Sequence, residues 1–315
     1  MLLTLVACGQ RRDRYETKIF FAMGTVVEIT IPEKNRDILP EAEKRLNGLA
    51  EIISSDCFKI SSSPDLTEIN ELTYRLFQRE NDYRLISENH FNSAVLTVSA
   101  LYGFPEGPFA VPANDKLEEA KMLFRSNNIN IFTDNKTGKH YAKGNGLKID
   151  LGAFAKGWIV DNISTYLKSN GINNFIVNAG GDLFAGGEKE RDKAWHIGIK
   201  DPDNKKPYIT VARLSGKALA TSGVYERYFI NENGERISHI FDGINGEPVN
   251  NYKSLSVIAD TAELADAFST IYFLMPAEDI DRLCVLNNTA VFRVTPDGIQ
   301  HRHCGWEKYE TGIQE

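Results

Sequence analysis

The sequence predicts an α+β fold. Many short strand-like runs, bounded by glycine and charged turns, crowd residues 195–258, whereas amphipathic helical stretches are few and long. No regular alternation of strand and helix runs through the chain, and a doubly wound parallel sheet needs one. No internal repeat or low-complexity tract interrupts this reading.

Taken in order, residues 10–18 are polar and read as a tether into a first strand from Ile19 to Ile31, where Val27, Ile29 and Ile31 alternate with polar neighbours and Gly24 marks a bulge or close approach. Pro40 to Ile53 reads as a helix with Ala42, Leu46, Leu49 and Ile53 on one stripe. Pro64 to Asn70 is a turn feeding a helical stretch through Phe77. The run Gly103-Phe104-Pro105-Glu106-Gly107-Pro108 is a loop, and Asp115 to Arg125 a short amphipathic helix. Leu147 to Leu151 reads as a strand, Ala153 to Ser169 as a helix and Asn174 to Asn178 as a strand. Further strands are expected at Trp195–Ile199, Tyr208–Arg213, Ala218–Thr221, Tyr225–Ile230 and Ser254–Ile258, then a helix from Ala262 to Phe273. Strand-like pairs over Cys284 to Val294 precede the turn Pro296-Asp297-Gly298.

A length of 315 residues allows one large domain or two intimately packed lobes. With 36 basic against 43 acidic residues and a formal charge of -7, the chain makes no global electrostatic case for binding nucleic acid or acidic lipid. An anionic ligand therefore needs a local site, with a metal as the natural counter-charge. The four cysteines, Cys8, Cys57, Cys284 and Cys304, form neither a zinc signature nor a clear disulfide framework.

The chemistry concentrates in three places. Asp150 precedes and Lys156 lies one turn into the helix from Ala153, with Gly152 and Gly157 on either side; helix N-terminal amides and a lysine suit phosphate, while Asp150 accepts from a ligand. A turn in which Asp150 merely caps the helix is the alternative. Asn178-Ala179-Gly180-Gly181-Asp182 is a second strand end where backbone can approach a ligand. Asp266 and Thr270 stand one helical turn apart as oxygen donors suited to magnesium, unless Thr270 bonds back within the helix and Asp266 is solvated. Thr221 or Ser222 can bind phosphate, and His239 can exchange a proton near pH 7 if exposed; a strand histidine of no special role is the alternative. Together these features suggest a hard-cation and phosphate site in an enzyme acting on a nucleotide-like ligand.

The ordered set Phe21-Ala22-Met23-Gly24-Thr25, Ile149 to Gly157, Val177 to Asp182, Ala220 to Gly223 with Tyr225-Glu226-Arg227, His239 with Asp242, Gly246-Glu247-Pro248-Val249 and Ala265 to Thr270 resembles the ApbE family of bacterial FAD:protein FMN transferases, from about Phe20 to Thr295. The resemblance implies a T-fold-related, two-lobed architecture with mixed or antiparallel sheets flanked by helices. It implies that Asp266, Thr270 and the carbonyl of Ala153 ligate Mg2+; that Met23, Phe58, Phe104, Asp150, Lys156 and Ile240 line the FAD site; and that His239 handles a proton. The implied activity moves FMN from FAD to a threonine or serine of an exported electron-transfer subunit and releases AMP. Some relatives mainly hydrolyse FAD to FMN and AMP, and a flavin-binding lipoprotein without catalysis is the third reading.

The same resemblance makes Leu5-Val6-Ala7-Cys8 the processing box of a truncated lipoprotein signal, so that 1–18 is signal and tether, 19–315 the catalytic domain, and a lipidated Cys8 anchors the protein outside the cytoplasmic membrane. The chain departs from the family pattern in four places. Phe91-Asn92-Ser93-Ala94 replaces Phe-Asp followed by threonine, Leu96-Thr97 replaces Gly-Pro, Val224 replaces an acid, and Gly243 replaces a proline.

Overall fold

A computed structural model describes residues 14–190 and 193–311, so Cys8 and its apolar run lie outside the described residues. The chain enters as a hairpin: β1 (Tyr15–Ala22) and β2 (Thr25–Pro32) pair from Tyr15 opposite Pro32 to Ala22 opposite Thr25. The expected single strand is thus two. The reversal falls at Met23 and Gly24, with φ of 53° and 68°, the pair of left-handed residues that matches strand twist. A two-residue turn preserves the period-two alternation, so the apolar pattern alone does not betray it.

Next come α1 (Leu39–Ser62), β3 (Thr67–Ile69), α2 (Glu71–Ile86), α3 (Leu96–Ser99), α4 (Asn114–Ser126), β4 (Asn130–Thr133) and β5 (His140–Lys143). Helix α1 outruns its expected end because Cys57 and Ile60 continue the buried stripe of Leu46 and Ile53. The side chain of Asn70 caps α2 by accepting from the Leu72 amide at 2.9 Å. The expected strand 147–151 joins no sheet, and Leu151, with φ of -90° and ψ of 5°, already turns into the next helix. The segment's amides donate instead to Thr97 Oγ1 from Lys148 (2.9 Å), to Ser61 Oγ from Ile149 (3.0 Å) and to the Ser93 carbonyl from Asp150 (3.0 Å). Those bonds satisfy the backbone without a ladder.

The remaining elements are α5 (Gly152–Ser169), β6 (Phe175–Ala179), β7 (Asp182–Gly186), β8 (Trp195–Lys200), β9 (Tyr208–Leu214), β10 (Lys217–Gly223), β11 (Tyr228–Ile230), β12 (Arg236–Ser238), β13 (Ser254–Ala259), α6 (Ala262–Leu274), α7 (Ala277–Leu286), β14 (Ala290–Val294), β15 (Gln300–His303) and β16 (Glu310–Thr311). Two expectations shift here. Residues 224–227 form a turn, so the strand expected from Tyr225 begins only at Tyr228. The apolar run at Cys284 closes helix α7, whose buried Ile280, Leu283 and Cys284 follow helical spacing.

Eight strands form the central sheet in the order β1-β2-β6-β7-β10-β13-β14-β15, every neighbouring pair antiparallel. One face packs on α5 and α6 through Val27, Ile29, Val177, Leu255 and Val257. The other meets the small sheet β16-β9-β8 and Trp306 through Leu183, Leu219, Ile258 and Phe292. With both faces covered, β13 is buried at all six positions. Cys284 and Cys304 form a disulfide across 20 residues, tying α7 to the segment after β15, a pairing the sequence spacing did not reveal. Among the described residues, no helix is long and apolar enough to cross a membrane.

Candidate active site

Three backbone reversals converge on the start of α5. The segment from Leu147 delivers Asp150, whose Oδ1 accepts the Gly152 amide at 2.7 Å across Leu151, the residue at the N-cap of α5. Asp150 remains exposed and able to meet a ligand with its other oxygen. One turn later, Lys156 Nζ donates to the Gly152 carbonyl at 2.9 Å and lies 2.8 Å from Asp182 Oδ2 and 3.5 Å from Asp266 Oδ1. Asp182 reaches this point because Gly180 and Gly181, with φ of 67° and 108°, turn β6 into β7. Burial opposes the charge on Lys156, but Asp182 and Asp266 outweigh it and hold the ammonium above its ordinary value.

Asp266 is buried rather than solvated, and the amide of Gly157 donates to its Oδ2 at 2.9 Å. Burial and the neighbouring Asp182 carboxylate push its carboxyl above the ordinary range, against the pull of Lys156 and that amide. Glu226 is pushed up to about 7, first by desolvation and then by Asp182, with Lys156 and Arg227 opposing. Thr270 Oγ1 lies 3.2 Å from Ser222 Oγ, which also pairs with Ser269 Oγ at 2.8 Å. Ser222 therefore reaches α6 from β10. Thr221 points to the opposite face of the sheet and pairs with Ser256 Oγ at 2.8 Å. Strand alternation separates the two hydroxyls, and only Ser222 shares the helical side with Ala218 and Ala220.

The opposite wall begins at the hairpin turn Met23-Gly24, where a Cβ on Gly24 would stand 3.8 Å from the Arg227 guanidinium. The Arg227 carbonyl accepts from the His239 amide and from its Nδ1, both at 3.1 Å. His239 sits just beyond β12, not within a strand. It is held down to about 4, first by burial and, against the bond to Arg227, by the charges of Arg227 and Lys156. Phe104 is buried 6.4 Å from the His239 ring, in an aromatic group with Phe109, Phe229 and Phe241. Ile240 follows in the chain and is buried, its carbonyl accepting from the Val249 amide at 2.8 Å. Phe58 lies on α1 and is 73% exposed; the adjacent Cys57 thiol is pushed up to about 12 by burial and by Asp150 and Asp56, which removes it as a nucleophile and puts this part of α1 near Asp150.

The departures from the family pattern have local compensations. Asn92 caps the turn after it by accepting from the Ala94 amide at 2.9 Å, a task its neutral oxygen performs as a carboxylate does. Thr97 exchanges bonds with Lys148, accepting from its amide at 2.9 Å and donating to its carbonyl at 3.3 Å, which steadies the approach to Asp150. Val224 is buried in the core instead of placing a charge in the cleft. Gly243 donates its amide to the His90 carbonyl at 2.7 Å, which proline lacks the hydrogen to do, and His90 Nδ1 meets Asp242 Oδ2 at 2.5 Å.

Sequence reasoning named Asp266, Thr270, Lys156 and Asp150, and the structure brings these together. It offered Ser222 as an alternative to Thr221 for phosphate and gave no side-chain role to Asp182, Glu226 or Arg227; the short polar residues at strand ends and beside glycines were the available signal. Among the described residues, no group of three or more His, Cys, Asp and Glu side chains is arranged as a metal cage.

The model of the ApbE family matches residues 23–292, which spans every element of this cleft. The FAD:protein FMN transferase of Rhodobacter capsulatus is 32% identical over 233 residues, 73% of this chain and 44% of that protein. The protein of the same name from Klebsiella pneumoniae is 27% identical over 244 residues, 74% of each. A crystal structure of the ApbE protein of Thermotoga maritima superposes with a TM-score of 0.82 at 29% identity, covering 95% of this chain and 100% of that one. Because the family match runs through the hairpin turn at Met23, the start of α5 and the carboxylate of α6 alike, this chain belongs to the ApbE family.

Proposed function

We propose that the chain transfers FMN from FAD to a serine or threonine hydroxyl of an exported electron-transfer protein and releases AMP. The observation that carries this reading is the convergence of Lys156, Asp182 and Asp266 at the start of α5. Two buried carboxylates sharing one ammonium make a cleft that already requires a cation. The donors fit a hard divalent ion: one carboxylate from Asp266, the Thr270 hydroxyl and the Ala153 carbonyl are all oxygens, too few for a closed cage and suited to completion by phosphate. Magnesium bound there supplies charge neutralisation for a diphosphate and its leaving group.

Lys156 then holds a diphosphate oxygen as a point charge, and Asp150 orients the ligand at the mouth of α5. Met23, Phe58, Phe104 and Ile240 supply the apolar walls for the flavin nucleotide. The acceptor hydroxyl oxygen attacks the FMN phosphorus, the bond from that phosphorus to the bridging oxygen breaks, and AMP departs with that oxygen. His239 receives the hydroxyl proton. Its Nδ1 faces a carbonyl, which only accepts, so the neutral ring carries hydrogen there and presents the lone pair of Nε2. The diphosphate offsets the positive charges of Arg227 and Lys156 that hold His239 down, and so raises its basicity when substrate binds.

The proposal extends to location: a lipidated Cys8 preceding strand β1, which takes in Tyr15 to Lys18 of the expected tether, places the cleft among exported acceptors. The test is mass spectrometry of a co-expressed exported acceptor together with AMP assay of the purified protein. FMN added to serine or threonine, with AMP formation depending on magnesium and acceptor, is expected. AMP formed equally fast without acceptor replaces the transferase by an FAD pyrophosphatase, and no AMP under any condition leaves a binding protein.

A further inference from the structure

Helices α5 and α6 meet along a seam defined by two residues of α5 one turn apart. At the first, Gly157 has no side chain, and a Cβ there would overlap the Ala262 carbonyl oxygen and come within 2.8 Å of the Asp266 Cβ. The backbones therefore touch, and the Gly157 amide reaches Asp266 Oδ2 directly. At the second, Asp161 spans to the first turn of α6: its Oδ1 accepts the Ala262 amide and its Oδ2 the Glu263 amide, each at 2.8 Å. Both orphan amides go to a carboxylate from another helix, in addition to the cap that α6 makes for itself through Thr261 Oγ1 and the Leu264 amide at 3.2 Å.

We infer that Asp161 is a positioning residue for the metal site, setting the axial register of α6 against α5. The inference rests on the ligand set proposed above. That set is split between the helices: the Ala153 carbonyl belongs to α5, while Asp266 and Thr270 belong to α6. A slide of one helix along the other changes the distance between donors, and magnesium tolerates little departure from its preferred geometry. Gly157 permits close approach, but a smooth contact does not fix translation. The bidentate grip of Asp161 does, because two amides at the end of a helix meet two carboxylate oxygens in one arrangement only. Glu263, beside the gripped amides, is held in turn by Arg79 Nε at 2.7 Å and by the Tyr83 hydroxyl at 2.8 Å, so the start of α6 is fixed from two directions.

A cap that only stabilises α6 and a cap that positions it are separated by comparing Asp161→Ala with Thr261→Ala. Both remove an acceptor from the first turn of α6, but only Asp161 links that turn to α5. Mn2+ is titrated into the FAD-loaded protein without acceptor and followed by electron paramagnetic resonance, beside thermal unfolding of each variant. Asp161→Ala is expected to weaken Mn2+ binding about tenfold, Asp161→Asn to fall between it and wild type, and Thr261→Ala to stay within about twofold while still losing thermal stability. Mn2+ affinity within about twofold of wild type for Asp161→Asn and Asp161→Ala, or equal weakening by Thr261→Ala, overturns the inference. Asp266→Ala tests the underlying reading separately: unchanged Mn2+ binding in that variant overturns the ligand set itself.

Discussion

Lys156 stands 2.8 Å from Asp182 and 3.5 Å from Asp266, so the cleft carries its own counter-cation. Removing it leaves two buried carboxylates facing each other. Lys156→Ala is expected to destabilise the metal-free protein by about 3 kcal/mol, because an unpaired buried charge costs more than the pair contributes. Added magnesium should restore more stability to this variant than to wild type. Thermal unfolding with and without magnesium checks both outcomes.

Asp266→Ala is expected to abolish AMP release while the protein still folds, since Asp266 is the only side-chain carboxylate in the proposed ligand set. Thr270→Ala should be milder, because water replaces one neutral ligand. Unchanged AMP formation by Asp266→Ala at limiting magnesium would contradict the assignment.

His239 makes stability depend on acid. Its native value is held to about 4, against 6.5 for an ordinary histidine, first by burial. Between those values the unfolded chain binds the proton more readily, so the stability His239 contributes is complete above the higher one and is lost as pH falls through the lower. His239→Gln has no such proton. From pH 7 to pH 4, wild type is expected to lose about 3 kcal/mol more than this variant, measured by denaturant unfolding without FAD.

Gly243→Pro installs the residue usual in the family and should nevertheless harm this chain. It removes the amide that donates to the His90 carbonyl and puts ring atoms against the Asn89 carbonyl and the Asn92 Cβ. A loss of about 3 kcal/mol in urea unfolding is expected from the unsatisfied carbonyl and the overlap together.

Reduction of the Cys284–Cys304 disulfide, which closes a 20-residue separation, should lower stability by about 3 kcal/mol through the added freedom of the unfolded chain. Cys284→Ser with Cys304→Ser should reproduce the loss and be insensitive to reductant. Alkylation before and after reduction counts the paired thiols.

What the sequence determined by itself is local and periodic. Asp266 and Thr270 share a helix face because i,i+4 spacing puts them there, and the glycines around Lys156 marked the strand-to-helix turn at the start of α5. The alternation of Val27, Ile29 and Ile31 likewise identified a half-buried strand. Tertiary structure decided the rest. The reversal at Met23 and Gly24 leaves period-two alternation unchanged, and the amides of residues 148–150 meet Thr97, Ser61 and the Ser93 carbonyl in place of the ladder their apolar pattern suggests. Thr221 and Ser222 are chemically alike, and only the register of β10 against β13 decides which one faces α6. Lys156 meets Asp266 across 110 residues of chain, and Asp161 meets Ala262 across 101. No local pattern encodes such pairings, because they exist only once the sheet and the α5–α6 seam have fixed where each helix lies.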